Sequence, residues 1–558
     1  MSRLFSGSLA VSLGSGESSQ SGNRGTDPTV VHKQGEPGSD GNGSGNRNEG
    51  SPSGDESAVS DAHGEVGDPG PPAGDGAGDG GGGSGAGATS ILLSGIHMAA
   101  RAVGFLGLVY FTRILPQSEL GVYFLFFLVV QVSSMVSQVG ITSAIVQRIS
   151  GADRPEEIYT AAITVFGTIS IALTLLLFAP GVRGAVAGYV GVDVPGLLAL
   201  AIGSWLFADL HIRTVQGENR VLLAGLLQLT QDLVRVGVGA AAITVGMGAI
   251  GLMYGVIVGF GATVIVGFLL TDVRPRRPAR RDFRSLFAIS KYTAVFGPTN
   301  FVYFWFDTFM IGLLLTKAAV SSYEVAWQTT RVLVIPTTAI VQTVFPKVSR
   351  WASEGDYDEI ERILPGAILF TLFIPVPGLV GISVLGPEIL GLVYRPSYAE
   401  AALPMVILAG YMVVESLHRL GQVVATGLDR AEIPFRSRLV GVSLAVVLNV
   451  LLIPQFGLLG AAVGTFLAKL VDASILWIRT AGVVAVDLPV RSLLREIASA
   501  LAMGLLVAGV ATVVGISSLP LLFAVVGIGV AFYALAVLRD EDIHQVLNQY
   551  VPIRLPGG

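Results

Sequence analysis

"GAIGLMYG" occupies residues 248–255, and "GLLGAAVG" occupies residues 457–464. Gly248, Gly251 and Gly255 of the first stretch recur as Gly457, Gly460 and Gly464 of the second, 209 positions later. Upstream, "GENR" (Gly217 to Arg220) is matched by "GLDR" (Gly427 to Arg430) at an offset of 210, and Tyr123 is matched by Tyr323 at an offset of 200. Glycines three and four apart let helices approach closely, which alone would account for either motif. Their recurrence at a nearly constant offset points instead to a duplicated unit.

Both copies lie in apolar surroundings. The 558 residues are 51% hydrophobic and 13% charged, against about 25% charged in soluble domains, and the mean hydropathy is +0.67. Apolar runs of roughly 20 residues, the length that crosses about 30 Å of hydrocarbon, recur from residue 89 onward. They predict fourteen spans: 89–113, 120–146, 158–179, 194–213, 221–246, 248–270, 285–315, 318–346, 362–385, 400–427, 433–453, 458–478, 492–515 and 519–538. The runs are too long for barrel strands of about ten alternating residues. With the N-terminal tail placed inside, the inner links carry 19 Lys and Arg. The outer links carry 4, namely Arg113, Arg183, Lys317 and Arg395. By the positive-inside rule this predicts a multi-pass protein of the cytoplasmic membrane with both termini cytoplasmic. An even number of spans separates the repeats, so the halves share an orientation. Such a parallel repeat about an axis along the membrane normal occurs in transporters.

The expected fold class is therefore an all-α polytopic membrane protein with two parallel-repeat six-helix lobes and a C-terminal helix pair. The expected divisions are a cytoplasmic tail (1–88), an N-terminal lobe (89–270), a basic linker (271–284), a C-terminal lobe (285–478), an extra pair (492–538) and a C-terminal tail (539–558). Residues 1–88 are Gly/Ser/Asp-rich, with 12 acids against 4 bases. They cannot bury enough apolar surface to offset chain entropy, which predicts disorder, and they lack the pattern of a cleaved signal peptide. The linker stretch "RPRRPARRDFR", Arg274 to Arg284, reads as a topology determinant that could also recruit anionic lipid.

There are no cysteines, which excludes disulfides, thiol catalysis and cysteine metal sites. No phosphate loop, zinc motif or nucleophile elbow is present, so the reading is of a protein that is not an enzyme, with no catalytic residues, metal, cofactor or nucleic-acid partner.

"TGLDRAEIPFRSRLVGVSLAVVLNVLLIPQFGLLGAAVGTFLA" resembles the eleventh and twelfth helices of polysaccharide and oligosaccharide-lipid flippases, through Asn449, Pro454, Gly457, Gly460, Ala461, Ala462 and Thr465. "GPEILGLVYRPSYAEAALPMVIL" resembles their ninth-to-tenth helix link through Tyr398 and Ala401, and "ELGVYFLFF" their second-helix entry through Gly121 and Tyr123. These proteins belong to the multidrug/oligosaccharidyl-lipid/polysaccharide (MOP) exporter superfamily. The resemblance covers residues 89 to about 538; the tail departs from it. It implies two six-helix lobes around a central cavity with alternating access. It also implies a cargo of polyprenyl- or dolichyl-(pyro)phosphate-linked saccharide for surface polysaccharide or glycoprotein biosynthesis. The implied partners are that cargo, membrane lipids and, as candidates, glycosyltransferases of the same pathway.

Ionisable residues inside spans mark cavities or structural pairs. Asp232 with Arg235, Lys469 with Asp472, Glu415 with His418 and Arg419, and Asp209 with Arg213 stand at helical pairing distances. They are candidate coupling groups or structural locks. Arg101, Asp307, Glu324 and Arg331 have no opposite charge on their own turn. Arg101 lies about 18 Å along its helix, one turn from His97, and a central arginine costs roughly 2.5–3.5 kcal/mol. A phosphate would offset that, because the guanidinium fork matches its oxygens. The candidate cargo-binding residues are therefore Arg101, Arg331, His97, Asp307 and Glu324. The competing expectation is an ion pair between Arg101 and Asp307. Two other function classes stay open. A cation-coupled multidrug antiporter would need a membrane-embedded acid, and the first span has none. A membrane glycan polymerase or ligase would need a large outer loop with convergent acid and histidine, and the longest outer links, near 180–194 and 386–399, are short.

Overall fold

The computed structural model describes residues 83–138, 141–151, 154–293 and 296–538, and every regular element among them is helical. The first half comprises α1 (Gly83–Ile114), α2 (Gln117–Gln138), α3 (Ile141–Gly151), α4 (Pro155–Phe178), α5 (Pro180–Val190), α6 (Pro195–Gly217), α7 (Val221–Thr244) and α8 (Gly248–Leu270). The second comprises α9 (Arg280–Thr293), α10 (Phe296–Leu314), α11 (Lys317–Thr330), α12 (Ile335–Glu354), α13 (Tyr357–Leu372), α14 (Pro375–Glu388), α15 (Ala402–Gly427) and α16 (Glu432–Thr480). The pair α17 (Val490–Val514) and α18 (Leu519–Leu538) ends the described chain.

Among the described residues, eleven helical segments are long and apolar enough to cross a membrane. One of them, α16, has 49 residues and a non-helical Gly457 (φ 57°, ψ −132°) at its middle, so it crosses twice. Two shorter apolar helices, Gln117–Ser133 and Phe304–Leu314, supply spans two and seven. Together these are the fourteen spans, in two six-helix lobes and a final pair.

Several expected boundaries move. Residues 83–88, read as tail, are the opening turns of α1; residues 1–82 and 539–558 lie outside the described residues. The linker's last residues, from Arg280, already belong to α9. The outer links read as short loops are ordered. One is α5, which starts on Pro180, where a missing N–H costs nothing. The other is a π-helical turn, Ile389–Tyr394, followed by a 3-10 turn, Pro396–Ala401. Span eight is interrupted by a 3-10 turn, Arg331–Val334. Pro336 just beyond it cannot donate to the preceding turn. Span nine breaks at Phe373 and Ile374, ahead of Pro375.

The duplication is visible in the backbone. Among the described residues, two that are not glycine have positive φ, Asn219 (59°) and Asp429 (58°), and they are the repeat equivalents. Each ends its helix in the left-handed cap that short polar residues tolerate. Arg220 N bonds Val215 O at 3.1 Å, and Arg430 N bonds Ala425 O at 3.0 Å. Gly248 (φ 55°) and Gly457 (φ 57°), also equivalents, make the matching turns before α8 and at the middle of α16. The glycine ladder then seats helix on helix. A Cβ on Gly255 would stand 2.6 Å from Arg235 O and one on Gly251 would stand 2.8 Å from Ala242 Cβ. A Cβ on Gly460 would collide with Leu452 O, so neither copy tolerates a side chain there.

Candidate functional site

The two lobes meet on the face that carries few basic residues. There α2 crosses α11 so closely that a Cβ on Gly121 would collide with the Lys317 carbonyl. Bonds run across the contact in both directions. Arg113 Nε donates to Val393 O (2.8 Å) and its Nη2 to Leu392 O, while Arg395 Nη1 donates to Leu115 O at 3.1 Å. Gln117 Nε2 reaches Ser322 Oγ and Ser397 O, each at 3.1 Å. Tyr189 Oη donates to Phe309 O at 3.2 Å, and Lys317 Nζ donates to Tyr189 O. Sequence reasoning missed this closure, although one signal was available: of the four basic residues in the arginine-poor links, three are in it. The fourth, Arg183, pairs with Asp193 at α5.

Away from that closure, Arg331 of the second lobe comes within electrostatic range of one arginine from each lobe. Arg101 on α1 and Arg331 in the 3-10 turn are exposed despite lying mid-span. Arg331 lies within range of the charges of Arg101 and of Arg419 on α15, as well as that of Glu324. Among the described residues neither Arg101 nor Arg331 makes an ion pair. The structure thus brings Arg101 and Arg331 together and adds Arg419, which the sequence placed only in a local pair. The Arg101–Asp307 ion pair is not formed. Asp307 is buried, accepting 2.6 Å from Tyr323 Oη and 2.8 Å from Thr308 N. Glu324 is buried beside it, accepting from Thr308 Oγ1 at 2.5 Å. His97 is half-buried, its Nε2 turned toward Gly225 on α7.

Behind Arg419 runs a buried chain of charge. Arg419 Nε bonds Glu415 Oε1 at 2.8 Å, and Glu415 Oε2 takes Lys469 Nζ at 2.9 Å. Lys469 also reaches Asp472 Oδ2 at 3.3 Å, and Asp472 takes His418 Nε2 at 3.0 Å. Glu415 is held by Arg419 and Lys469, and His418 reaches Asp472 on α16. A cavity of about 20 Å³ adjoins this chain, lined by Asp307, Tyr411, Asn449, Thr465, Lys469 and Asp472. It has room for about one water, so no saccharide passes through it. In the first lobe, Asp232 and Arg235 pair at 2.8 Å, with Arg235 Nη1 also donating to Tyr123 Oη at 3.3 Å. Asp209 and Arg213 pair at 3.4 Å. Among the described residues no group of three or more His, Asp or Glu stands together as a metal site.

Residues 110–403 match the family described as polysaccharide biosynthesis protein. The chain is 30% identical over 469 residues to a probable low-salt glycan biosynthesis flippase, Agl15, of Haloferax volcanii. That match covers 83% of this chain and 99% of the relative. A probable flippase of the same organism, AglR, is 28% identical over 68% of this chain and 80% of its own. In fold the chain is similar to the lipid II flippase MurJ in an inward closed conformation, with a TM-score of 0.64, 15% identity, and 80% of this chain and 98% of that one covered. It is also similar to an inward-facing MATE family multidrug transporter of the MOP superfamily, with a TM-score of 0.56, 15% identity, and 70% and 98% covered. These relatives and neighbours are flippases and transporters, not enzymes. The fourteen spans, the duplicated lobes and the matched residues carry one conclusion: the chain belongs to the polysaccharide biosynthesis protein family, as a multi-pass membrane protein whose relatives are named as flippases.

Proposed function

We propose that this flippase turns a polyprenyl- or dolichyl-(pyro)phosphate-linked saccharide across the cytoplasmic membrane by alternating access, with both termini in the cytoplasm. The phosphate is neutralised between Arg101 and Arg331. The observation that carries this reading is that Arg331 lies within range of the charges of Arg101, from the other lobe, and of Arg419, with Arg101 and Arg331 exposed at mid-span and Arg419 half-buried. Like charges brought together repel, and an anion between them removes that cost while accepting the guanidinium forks. Arg419 already serves Glu415, which leaves Arg101 and Arg331 as the principal contacts. The closure on the arginine-poor face sets the cavity to receive cargo from the arginine-rich, cytoplasmic side. Rocking the lobes about that closure then carries the head group across while the lipid tail stays in the bilayer. His97, one turn from Arg101, and Glu324, behind Arg331, tune the site; glycosyltransferases of the same pathway supply the cargo.

The test is surface glycan, or transfer of a lipid-linked saccharide in proteoliposomes without nucleotide, at matched protein abundance. A hydrogen bond to a charged group contributes about 1.5–3 kcal/mol, so Arg101→Gln and Arg331→Gln should each lower transport at least roughly tenfold. Arg101→Lys, which keeps charge but loses the fork, should fall between. If Arg101→Gln with Asp307→Asn transported at the wild-type rate, Arg101 would be a structural residue and the reading would fail. Drug efflux with no saccharide transfer would favour the antiporter instead.

A further inference from the structure

The linker between the lobes is basic, but a topology signal needs only charge, and this segment also has a fixed backbone. Residues 271–279 have no regular structure, yet Glu218 Oε1 accepts from Thr271 Oγ1 (2.5 Å), Asp272 N (2.9 Å) and Val273 N (3.1 Å). Arg220 Nη1 donates to Leu270 O at 2.7 Å and to Asp272 Oδ2 at 3.0 Å. Thr160 Oγ1 accepts from Arg276 N at 2.8 Å. The following helix is anchored too. In α9, Asp282 and Leu286 are buried, Asp282 Oδ2 accepts from Ala279 N at 2.7 Å, and Arg281 bonds Glu157 at 3.2 Å.

What this scaffold presents outward is uniform. Arg276, Arg277, Arg280 and Arg284 are exposed, and among the described residues no acid pairs with any of their side chains. Phe287, one turn past Arg284, is 54% exposed. The patch follows the end of α8 and is bonded to Thr160 and Glu157 in the opening turns of α4, the ends of two helices long and apolar enough to cross a membrane. A polyanion in solution would be met by charge alone. A large exposed aromatic ring beside the charges fits a surface that has both phosphates and an acyl boundary.

We propose that residues 276–287 form a docking surface for anionic lipid head groups of the adjoining leaflet, with the four guanidiniums on the phosphates and the Phe287 ring in the acyl boundary. The surface is independent of the cargo site, because none of its residues belongs to the arginine cluster between the lobes. It lies on the segment that joins the halves in sequence: α9 packs on α3 and α4 of the first lobe, and the next helix, α10, packs on α16 of the second. Lipid held there bears on the joint between the moving parts.

The experiment uses the full-length protein in detergent. It is titrated with dispersed short-chain phosphatidylglycerol, with phosphatidylcholine of equal chain length, or with inorganic phosphate. The thermal midpoint and the lipids retained in native mass spectrometry are read. Wild type should gain stability from, and retain, phosphatidylglycerol but not phosphatidylcholine. Replacing the four arginines together by glutamine should weaken the phosphatidylglycerol affinity roughly tenfold or more. Replacing them together by lysine, which preserves charge and folding, should keep most of it. Equal responses of wild type to the two lipids would overturn the proposal without any variant. A glutamine variant matching wild type would also overturn it. Inorganic phosphate acting as strongly as phosphatidylglycerol would overturn the lipid as occupant.

Discussion

Replacing Gly121 by alanine should open the lobe contact on the arginine-poor face. The added methyl would stand on the Lys317 carbonyl, and that oxygen would have to retreat by more than an ångström to reach ordinary contact. Overpacking of this kind costs about 1–3 kcal/mol. Because α2 and α11 belong to different lobes, separating the lobes relieves the clash while each keeps its own packing. The cost therefore falls on the closed arrangement and lowers its ratio to the open one by about 5–150-fold. The cysteine-free chain makes this measurable. Ser322 is fully buried in the contact, against Gln117, so a cysteine there reacts with an impermeant maleimide only on opening. Ser118 is exposed and serves as the control. Labelling of Ser322→Cys should accelerate by that factor in the Gly121→Ala background, with Ser118→Cys unchanged. An unchanged Ser322→Cys rate in folded protein would refute both the location of the closure and the reasoning from it.

The cross-lobe arginines act in the same direction: Arg113→Gln with Arg395→Gln should also speed Ser322→Cys labelling, and equal rates would make these bonds incidental. Lys469→Met strands part of two buried carboxylates; since Glu415 keeps Arg419 and Asp472 keeps His418, the loss should sit at the low end, about 3 kcal/mol, read as a lowered thermal midpoint. Adding Asp472→Asn should recover part of that loss. Deleting residues 2–82, which stops short of α1, should leave insertion and transport intact, with surface glycan at matched abundance as the check.

What was legible in the sequence follows from what spacing can encode. The glycines of the repeat announced the duplication and the close helix packing beside them; that Gly248 and Gly457 also make turns at positive φ is visible only in the backbone. Pairs three or four apart, such as Asp232 with Arg235, could be read directly because one helix sets their geometry. The partner of His418 could not, since Asp472 lies on another helix and competes with a nearer Glu415. Nor could the lobe closure be read. Most of its acceptors are backbone carbonyls, among them those of Val393, Leu392, Leu115 and Tyr189, and every residue type carries one. Gly121 was recognisable as a motif position; only the fold shows that its missing side chain makes room for the other lobe.

The duplicated halves share a skeleton but not a polarity. Tyr123 and Tyr323 are repeat equivalents, yet Tyr123 accepts from a cation, Arg235, while Tyr323 donates to an anion, Asp307. At the offset of 210, Asp232 and Arg235 fall on Val442 and Ala445, so the second lobe has no counterpart of that self-neutralised pair. At the offset of 200, Glu324 and Arg331 fall back on Phe124 and Gln131, and at 210 Arg419 falls back on Asp209. The charges that gather between the lobes are thus absent from the equivalent positions of the other half. Conserved geometry at Asn219 and Asp429, or at Gly248 and Gly457, serves the helix ends that both lobes need. Divergent charge at Arg331 and Arg419 is what the proposed cargo site draws on, and Arg419 also answers Glu415 within its own helix; the shared backbone asks for neither arginine, since it does without them in the other copy.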